Sequence, residues 1–304
     1  MPSQPIVTIA VCTWNRAGYL RDTLNGLAAQ TSMPSLFEIL VVDNNSTDET
    51  AEICSAFEAK HKDLQFRYVT ESNQGLSFAR NRAFKEAEAE VVAFIDDDVF
   101  IPPDYTEKLI EYIKKNPDVP AAGGRIFVHF DETEPNWIPK ALMPMFGLHD
   151  LGPNDKPYSG NFPRGGNMVI RKQVFFRTGG FDTTLGRIGS KLVGAEEKAF
   201  FDELKQDGAQ LWYWAGIELE HRIPDKRLET EYLRNQSQGI GVSERLRVES
   251  VPGGMVMKLL SEMVKVVVSI PLSIIYLIIG RFRASFFLLR FRWWVLKGFL
   301  SKSG

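Results

Sequence analysis

Hydrophobic positions in the first third of the chain fall in short blocks, not long helical stripes. Residues 6–12 (IVTIAVC), 38–42 (EILVV), 64–69 and 91–95 (VVAFI) are such blocks. Short apolar runs without helical periodicity read as strands covered on both faces. Between them lie segments with helical character: one from near Arg16 towards Ala29, one ending near Lys60, and one from Gly75 to about Ala89. Ser46 or Thr47 can cap the second of these, with Asp48 and Glu49 as its early acids. Strand and helix thus alternate with short connections, as in a mostly parallel sheet with helices on both faces.

Downstream the pattern loosens. A helix is predicted over 104–115, followed by Ala121-Ala122-Gly123-Gly124 and an alternating strand, RIFVHF. Residues 131–164 are rich in Pro, Gly, Asn and Asp and carry Trp137, Phe146, Tyr158 and Phe162. Long irregular segments inside a compact domain are usually functional, so Trp137 and its neighbours are expected to form the variable half of a substrate site. Gly165 and Gly166 then permit close backbone approach. A short strand from Asn167 to Ile170 leads into a helix ending near Arg177, with Gly179-Gly180 as its stop. Residues 183–194 read as a mobile segment. A helix from Glu196 to Gln206 and a last core strand, 211–215, complete the body, followed by His221-Arg222.

The C-terminal part is different in kind. From Val256 to Phe282 it is strongly apolar, yet Lys258, Glu262, Lys265, Ser269, Ser273, Tyr276, Gly280 and Arg283 recur every three or four residues. That spacing draws one polar stripe on an otherwise apolar helix. Its uncharged core, 266–280, contains Pro271 and is shorter than the roughly twenty residues of a full span. A helix lying in or dipping into a membrane interface fits better. Residues 281–300 add Arg281, Arg283, Arg290, Arg292 and Lys297 among Phe, Leu, Trp293 and Trp294, a mixture suited to an anionic membrane surface. A helical hairpin packed on the body, or used to form a homo-oligomer, is the other reading. Nucleic acid is disfavoured, because these cations sit within apolar sequence and no recognition module precedes them. The expected organisation is a globular body, 1–250, with halves 1–120 and 121–250, and a helical tail, 251–304.

Charge sharpens this division. The formal net charge is -2, but residues 251–304 hold eight Lys or Arg against one acid, so the body is strongly acidic. The two cysteines, Cys12 and Cys54, make no metal-ligand spacing and no disulfide framework. A reducing compartment fits, and the N-terminus shows no basic region followed by a long apolar run.

The candidate chemistry starts at the end of the fourth predicted strand, where Asp96, Asp97 and Asp98 follow VVAFI. Strand tips at the C-terminal edge of such sheets are where ligands bind. Adjacent carboxylates repel one another unless something positive is present, and Mg²⁺ or Mn²⁺ would supply it through oxygen ligands. Such an ion brings a diphosphate with it. A solvated acidic turn is the alternative. There is no G-x-G-x-x-G after the first strand and no G-x-x-x-x-G-K-[ST], which disfavours a dinucleotide fingerprint or an ordinary P-loop. The first loop instead offers Thr13 and Asn15 and the second offers Asp43, short polar side chains suited to a nucleobase and ribose, though local turn bonding or a cap reads the same. Arg80 could face a ligand cleft. Glu196 and Glu197 open a helix, as capping acids or as a general base. His221 could be structural, or a ligand to a metal or phosphate oxygen.

In their order these segments resemble a known family, the GT-A-type nucleotide-sugar glycosyltransferases and in particular glycosyltransferase family 2, over roughly residues 5–240. The resemblance rests on VTIAVCTWNRAGYL, VVDNNSTDET, SNQGLSFARNRA, FIDDDVFIPPD, GGNMVIRKQVFFRTGGFD, GAEEKAFFDELKQDG and HRIPDKRL. It implies a GT-A fold, with a Rossmann-like, mostly parallel sheet. It also implies that Thr13 and Asp43 contact the base with Arg80 beside them, Asn15, Arg16 and Asn45 lining the same donor site. Asp96 would sit by the ribose and diphosphate and Asp98 would hold the metal, with Asp97 in the variable middle position. Where the family usually has Glu-Asp this chain has Glu196-Glu197. Glu197 aligns with the usual Asp and is taken as the base, with Glu196 as the fallback. His221 would help bind metal or diphosphate, Gly165, Gly166 and Asn167 would lie on the acceptor side, and Arg187 and Lys191 would close over the donor.

The expected protein is therefore an inverting, Mn²⁺- or Mg²⁺-dependent enzyme. It would move a sugar from a nucleoside-diphosphate sugar, with UDP favoured, to a saccharide or lipid-linked saccharide in cell-surface polysaccharide or glycan synthesis. The tail would hold it at the cytoplasmic face of the cell membrane, as a peripheral or monotopic protein through residues 256–300. A sugar-phosphate nucleotidyltransferase would need a Gly-rich first loop with Arg or Lys, unlike CTWNRAGY. A noncatalytic membrane-associated scaffold leaves the carboxylate sets unexplained.

Overall fold

The structure is a computed structural model that describes residues 4–186, 194–249 and 251–301. The first four strands are β1 (Val7–Thr13), β2 (Phe37–Asp43), β3 (Gln65–Thr70) and β4 (Val91–Ile95). They interleave with helices α1 (Ala17–Ala28), α2 (Thr50–Lys60) and α3 (Leu76–Glu86). Then follow β5 (Val99–Phe100), α4 (Tyr105–Lys115), β6 (Ala121–Phe130), β7 (Lys156–Pro157), β8 (Asn167–Arg171), α5 (Lys172–Thr178), α6 (Glu196–Gln206) and β9 (Trp212–Ile223). The chain ends in α7 (Thr230–Glu249), α8 (Gly254–Ile278) and α9 (Phe282–Leu300).

Strands β3, β2, β1 and β4 pair in that order, all parallel. Every residue of β2 and β4 is buried, which is why these strands read as continuous apolar blocks. Their side chains alternate between two cores. Ile9, Val41 and Ala93 pack on one face of the sheet, and Ala10, Leu40, Val42 and Phe94 on the other. Beyond β4 the sheet continues through β8, β6, β9 and β5, with β8 antiparallel to β4 and to β6. The parallel alternation expected from the sequence thus holds through β4, and the later strands make the sheet mixed.

Register sets the site. Thr13 lies opposite Asp43, and Val11 opposite Ile95. The loops after β1, β2 and β4 therefore leave the sheet along one edge.

Two sequence expectations shift. The second helix begins at Thr50, so Asp48 precedes it and accepts from the Thr50 N–H and hydroxyl, and also from the Ala17 N–H. Ser46 and Thr47, expected as caps, are instead tied to Asn15 in the neighbouring loop. The last strand runs on to Ile223 because Val99 and Phe100 pair with His221 and Glu220. His221 is therefore fixed within a strand and does not follow one.

The chain divides into two compact units. Among the described residues, one comprises 4–127, 148–186 and 196–222; the other comprises 128–147, 194–195, 223–249 and 251–301. Segments 128–147 and 223–249 thus group with the tail and not with the body that the sequence suggested. The reason is apolar: Phe130, Ile138, Leu142 and Phe146 share a core with Phe287, Phe291 and Val295.

Candidate active site

The acidic run after β4 is not a solvated turn. Asp97 and Asp98 are buried, at 7% and 2% exposure. Backbone placement is tight: the Thr23 hydroxyl donates to the Asp97 carbonyl (2.9 Å), and the Arg222 N–H to the Asp98 carbonyl (2.9 Å). Asp97 points back towards the first loop. Its Oδ2 accepts from the Thr13 hydroxyl at 2.7 Å, and its Oδ1 pairs with the Arg16 Nε at 2.8 Å. Burial pushes the Asp97 carboxyl up to about 6, helped by the charges of Asp98 and Asp96 and opposed by Arg16 and Thr13.

Asp98 divides its oxygens. Oδ2 takes a short contact from the Arg16 Nη2, while Oδ1 lies 3.3 Å from His221 Nε2. Asp96, Asp98 and His221 each offer a ligand atom, all within 4.8 Å of one another. Two carboxylates and an imidazole on rigid strand ends, converging so closely, fit a divalent cation such as Mn²⁺ or Mg²⁺.

A second charged centre lies on the same unit. Arg80, on α3, is 3% exposed and donates to Glu196 Oε1 and Glu197 Oε1, each at 2.8 Å. Arg80, expected beside the base of a nucleotide, is buried between two carboxylates on α6. The side chain of Glu196 is 4% exposed and that of Glu197 is 22%. Burial alone would raise the Glu197 carboxyl, but Arg80, the Gly165 N–H and Arg164 together hold it below its ordinary value. The Arg80 guanidinium is correspondingly raised, against its own burial, by Glu197 and Glu196. The Cys12 thiol is pushed up to about 12 by burial and stays neutral.

Gly165 and Gly166 lie against both centres. A Cβ on Gly165 would meet Glu197 Oε1 at 1.9 Å and Arg80 Nη2 at 2.1 Å; one on Gly166 would meet Asp96 Oδ2 at 2.7 Å. The two glycines therefore let the backbone reach the acids. At the head of α6, Ala195 takes φ +100°, a conformation that is strained for a residue with a side chain.

Several residues chosen from the sequence are hydrogen-bonded to neighbouring loops and strands. Thr13, at 2% exposure, is committed to Asp97. Asp43 accepts from the Ser46 N–H (2.8 Å) and the Tyr68 hydroxyl (2.6 Å). Asn15 and Asn45 both take left-handed φ, at 52° and 66°, which asparagine tolerates. The Asn15 side chain accepts from the Thr47 N–H. Asn167, expected on the acceptor side, has no exposure; it accepts from the Tyr105 hydroxyl and donates to the carbonyls of Arg125 and Ile217. Trp137 belongs to the other unit, where it meets Phe287 edge-on at 5.2 Å. Arg187 and Lys191 lie outside the described residues.

The sequence reading passed over Asn44, which accepts from the Gly75 N–H and donates to the carbonyls of Glu71 and Asn73. It also passed over Tyr19, whose ring lies 4.7 Å from the Arg16 guanidinium. Tyr19 sits three residues after Arg16, one helical turn away, and that spacing was the available signal.

The fold and the metal-ligand triad define a metal-dependent, GT-A-type glycosyltransferase. Comparison with known proteins gives the same class. A family model described as glycosyl transferase family 2 matches residues 8–178, and the chain belongs to this family. A glucosyl-dolichyl phosphate glucuronosyltransferase of Haloferax volcanii is 27% identical over 243 residues, which is 79% of this chain and 76% of that protein. A validoxylamine A glucosyltransferase of Streptomyces hygroscopicus subsp. limoneus is 33% identical over 108 residues, 35% of this chain and 23% of its own length. Among solved structures, a Pyrobaculum calidifontis mannosyltransferase in complex with GDP-Man and Mn²⁺ superposes with a TM-score of 0.58 at 21% identity. The match covers 81% of this chain and 66% of the mannosyltransferase, a little under two thirds of it. TarS residues 1–349 of S. aureus in complex with UDP superpose with a TM-score of 0.54 at 19% identity, covering 80% of this chain and 70% of that one. These structural likenesses bear on the fold.

Proposed function

We propose that the protein is an inverting glycosyltransferase. It moves a sugar from a nucleoside-diphosphate sugar, with UDP favoured, to a hydroxyl of a saccharide or lipid-linked saccharide, in cell-surface polysaccharide or glycan synthesis. The observation that carries this reading is the Gly165-Gly166 turn, which lies against Asp96 of the triad on one side and against Glu197 on the other. Asp96, Asp98 and His221 would hold a Mn²⁺ or Mg²⁺, whose charge would make the nucleoside diphosphate a competent leaving group. Glu197, ionised at neutral pH, accepts the proton of the acceptor hydroxyl as that oxygen bonds to the anomeric carbon. The bond from the anomeric carbon to the phosphate oxygen breaks on the opposite face, and its electron pair leaves with the diphosphate. One in-line displacement inverts the centre and needs no covalent enzyme intermediate. Glu197 is favoured over Glu196 because it is the more exposed of the pair.

A thermal-shift screen of UDP, GDP and their sugars, each with and without Mn²⁺, tests this reading and separates the carriers. The expected result is stabilisation by one nucleotide series only when Mn²⁺ is present, and loss of that metal-dependent gain in Asp98→Ala. A metal-dependent shift of unchanged size in Asp98→Ala would remove Asp98 from the site. Release of pyrophosphate in place of a nucleoside diphosphate would mark a nucleotidyltransferase.

The tail supports the membrane part of the proposal. By length and composition, α8 is long and apolar enough to cross a membrane. It is also inverted: Glu262, Ser269 and Ser273 are buried, while Val256, Met257, Val264, Val267, Val268 and Ile278 are 61–78% exposed. The polar stripe seen in the sequence therefore faces inwards, with Ser273 bonded to Ser285 of α9 and Arg292 to Ser269. α9 exposes Phe282, Phe286 and Trp293 alongside Arg283, Arg290 and Lys297, a mixture that fits anionic headgroups. Pairing of the exposed face with a second copy is the competing reading. We place the protein at the cytoplasmic face of the cell membrane through this pair of helices. The double variant Val264→Asp, Val267→Asp is expected to stop pelleting with phosphatidylglycerol vesicles while remaining folded. Pelleting equal to wild type would reject the membrane reading, and a dimer-to-monomer change in sedimentation equilibrium would favour the second copy.

A further inference from the structure

Arg16 is placed to do something that a simple donor contact does not require. Its guanidinium bridges two neighbouring carboxylates, Asp97 through Nε and Asp98 through Nη2. Asp98 carries both loads at once, with Oδ2 on Arg16 and Oδ1 towards His221 and the metal triad. Arg16 therefore adds a fixed positive charge one carboxylate away from the candidate cation. It precedes α1, on the loop that follows β1. Its side chain is 28% exposed and lies over the Tyr19 ring. Tyr19 is itself shared, with the Arg222 guanidinium 5.1 Å from its ring and Arg222 paired to Asp22. Arg222 is thus already committed, and among the described residues Arg16 pairs with Asp98 Oδ2.

The charges explain what this arrangement does. Three carboxylates and one guanidinium leave a net of about two negative charges, which a divalent ion neutralises with nothing to spare. Arg16 repels that ion and competes for Asp98, so the cation binds less strongly than the acids alone would dictate. When a nucleoside diphosphate arrives, its phosphates supply the missing negative charge to both the ion and Arg16. We infer that Arg16 is an internal counter-charge that holds metal affinity down until the donor's diphosphate is present, and so couples metal binding to donor binding. The inference rests on the transferase reading of the triad. Coupling of this kind is reciprocal: the diphosphate tightens the metal by the factor by which the metal tightens the diphosphate.

Calorimetry of Mn²⁺ alone, then of Mn²⁺ with saturating UDP, tests it. Arg16→Gln is expected to bind Mn²⁺ alone at least roughly ten-fold more tightly than wild type, because a unit charge so near a divalent ion is worth that much at protein dielectric. UDP should then tighten Mn²⁺ by a correspondingly smaller factor in the variant. Arg16→Lys keeps the charge and should bind Mn²⁺ alone nearly as wild type does. Mn²⁺ affinity in Arg16→Gln that is unchanged or weaker overturns the inference. A second measurement needs no variant: the Arg16 Nε–H resonance of the ¹⁵N-labelled wild-type protein should shift on Mg²⁺ binding and again on adding UDP. A resonance indifferent to saturating Mg²⁺ also overturns it. A wild-type protein that binds neither Mn²⁺ nor Mg²⁺ even with saturating UDP would instead defeat the metal reading itself, and the inference with it, so the two failures are distinguishable.

Discussion

Glu197→Gln is expected to lower turnover by about 10²–10⁴-fold, the usual worth of a positioned general base, with donor affinity within a factor of two or so. The substitution is close to a pure test of proton acceptance. A glutamine can keep the 2.8 Å contact with Arg80 Nη2 through its amide oxygen, and its volume matches the space beside Gly165. What it cannot do is take a proton. Because the loss falls on the chemical step, it should appear in kcat with KM for the nucleotide sugar little changed. Glu196→Gln is the comparison. That carboxylate is 4% exposed and faces Arg80, so its loss should register in stability more than in rate. Wild-type turnover in Glu197→Gln together with an inactive but folded Glu196→Gln would exchange the two roles. Near-normal turnover in both would remove the acid pair from catalysis.

How far the sequence reveals this site depends on the range of the interaction concerned. Strands β1, β2 and β4 announce themselves because they are buried on both faces, and local apolarity is all that such burial needs. The bounds of α6 are equally plain, since Glu196-Glu197 at its start and Gly208 after its end are local signals. The acids after β4 follow from their place at a strand tip. Arg80 could not be read in the same way. Its partners lie 116 and 117 positions along the chain, and nothing in FARNRA states which carboxylates will meet it. Thr13 and Asn167 are similar cases: each is hydrogen-bonded to a residue far off in sequence, a pairing with no local signature. His221 was expected beyond the last strand because 211–215 is the apolar part. The strand continues through the alternating residues IELEHRI, paired to β5, and that pairing has no local signature. The stripe on α8 was seen correctly as a stripe, but periodicity alone does not tell which side faces inwards. Glu262 shows the answer by pairing with Lys258 and Lys265 while its apolar neighbours face outwards.

Arg80→Met should be the most destabilising single change in the site, costing about 3–5 kcal/mol at neutral pH, the usual consequence of removing one partner from a buried ion pair. Both carboxylates would remain, on adjacent residues of α6, with their common counter-charge gone. Methionine fills much of the space, so a cavity contributes little. The pH dependence carries the mechanism. In the wild type Glu197 is held below its ordinary value of 4.5. Its ionised form therefore contributes stability that is fully present above 4.5 and is lost as pH falls through the depressed folded value. In Arg80→Met, burial is left without its main opponent and raises the folded value above 4.5. The deficit should then grow as pH rises from 4.5 through that raised value, and shrink as pH falls below 4.5. Urea melts of wild type and variant between pH 4 and pH 8 read this directly, since the difference in midpoint should narrow towards the acid end. Adding Glu196→Gln to Arg80→Met should recover part of the loss at neutral pH, because one of the two stranded charges is gone, and it should do little at pH 4. A deficit below about 1 kcal/mol, or one that does not vary with pH, would mean that the carboxylates find another cation or water. Arg80 would then be a packing residue and not the group that keeps Glu197 ionised and in place.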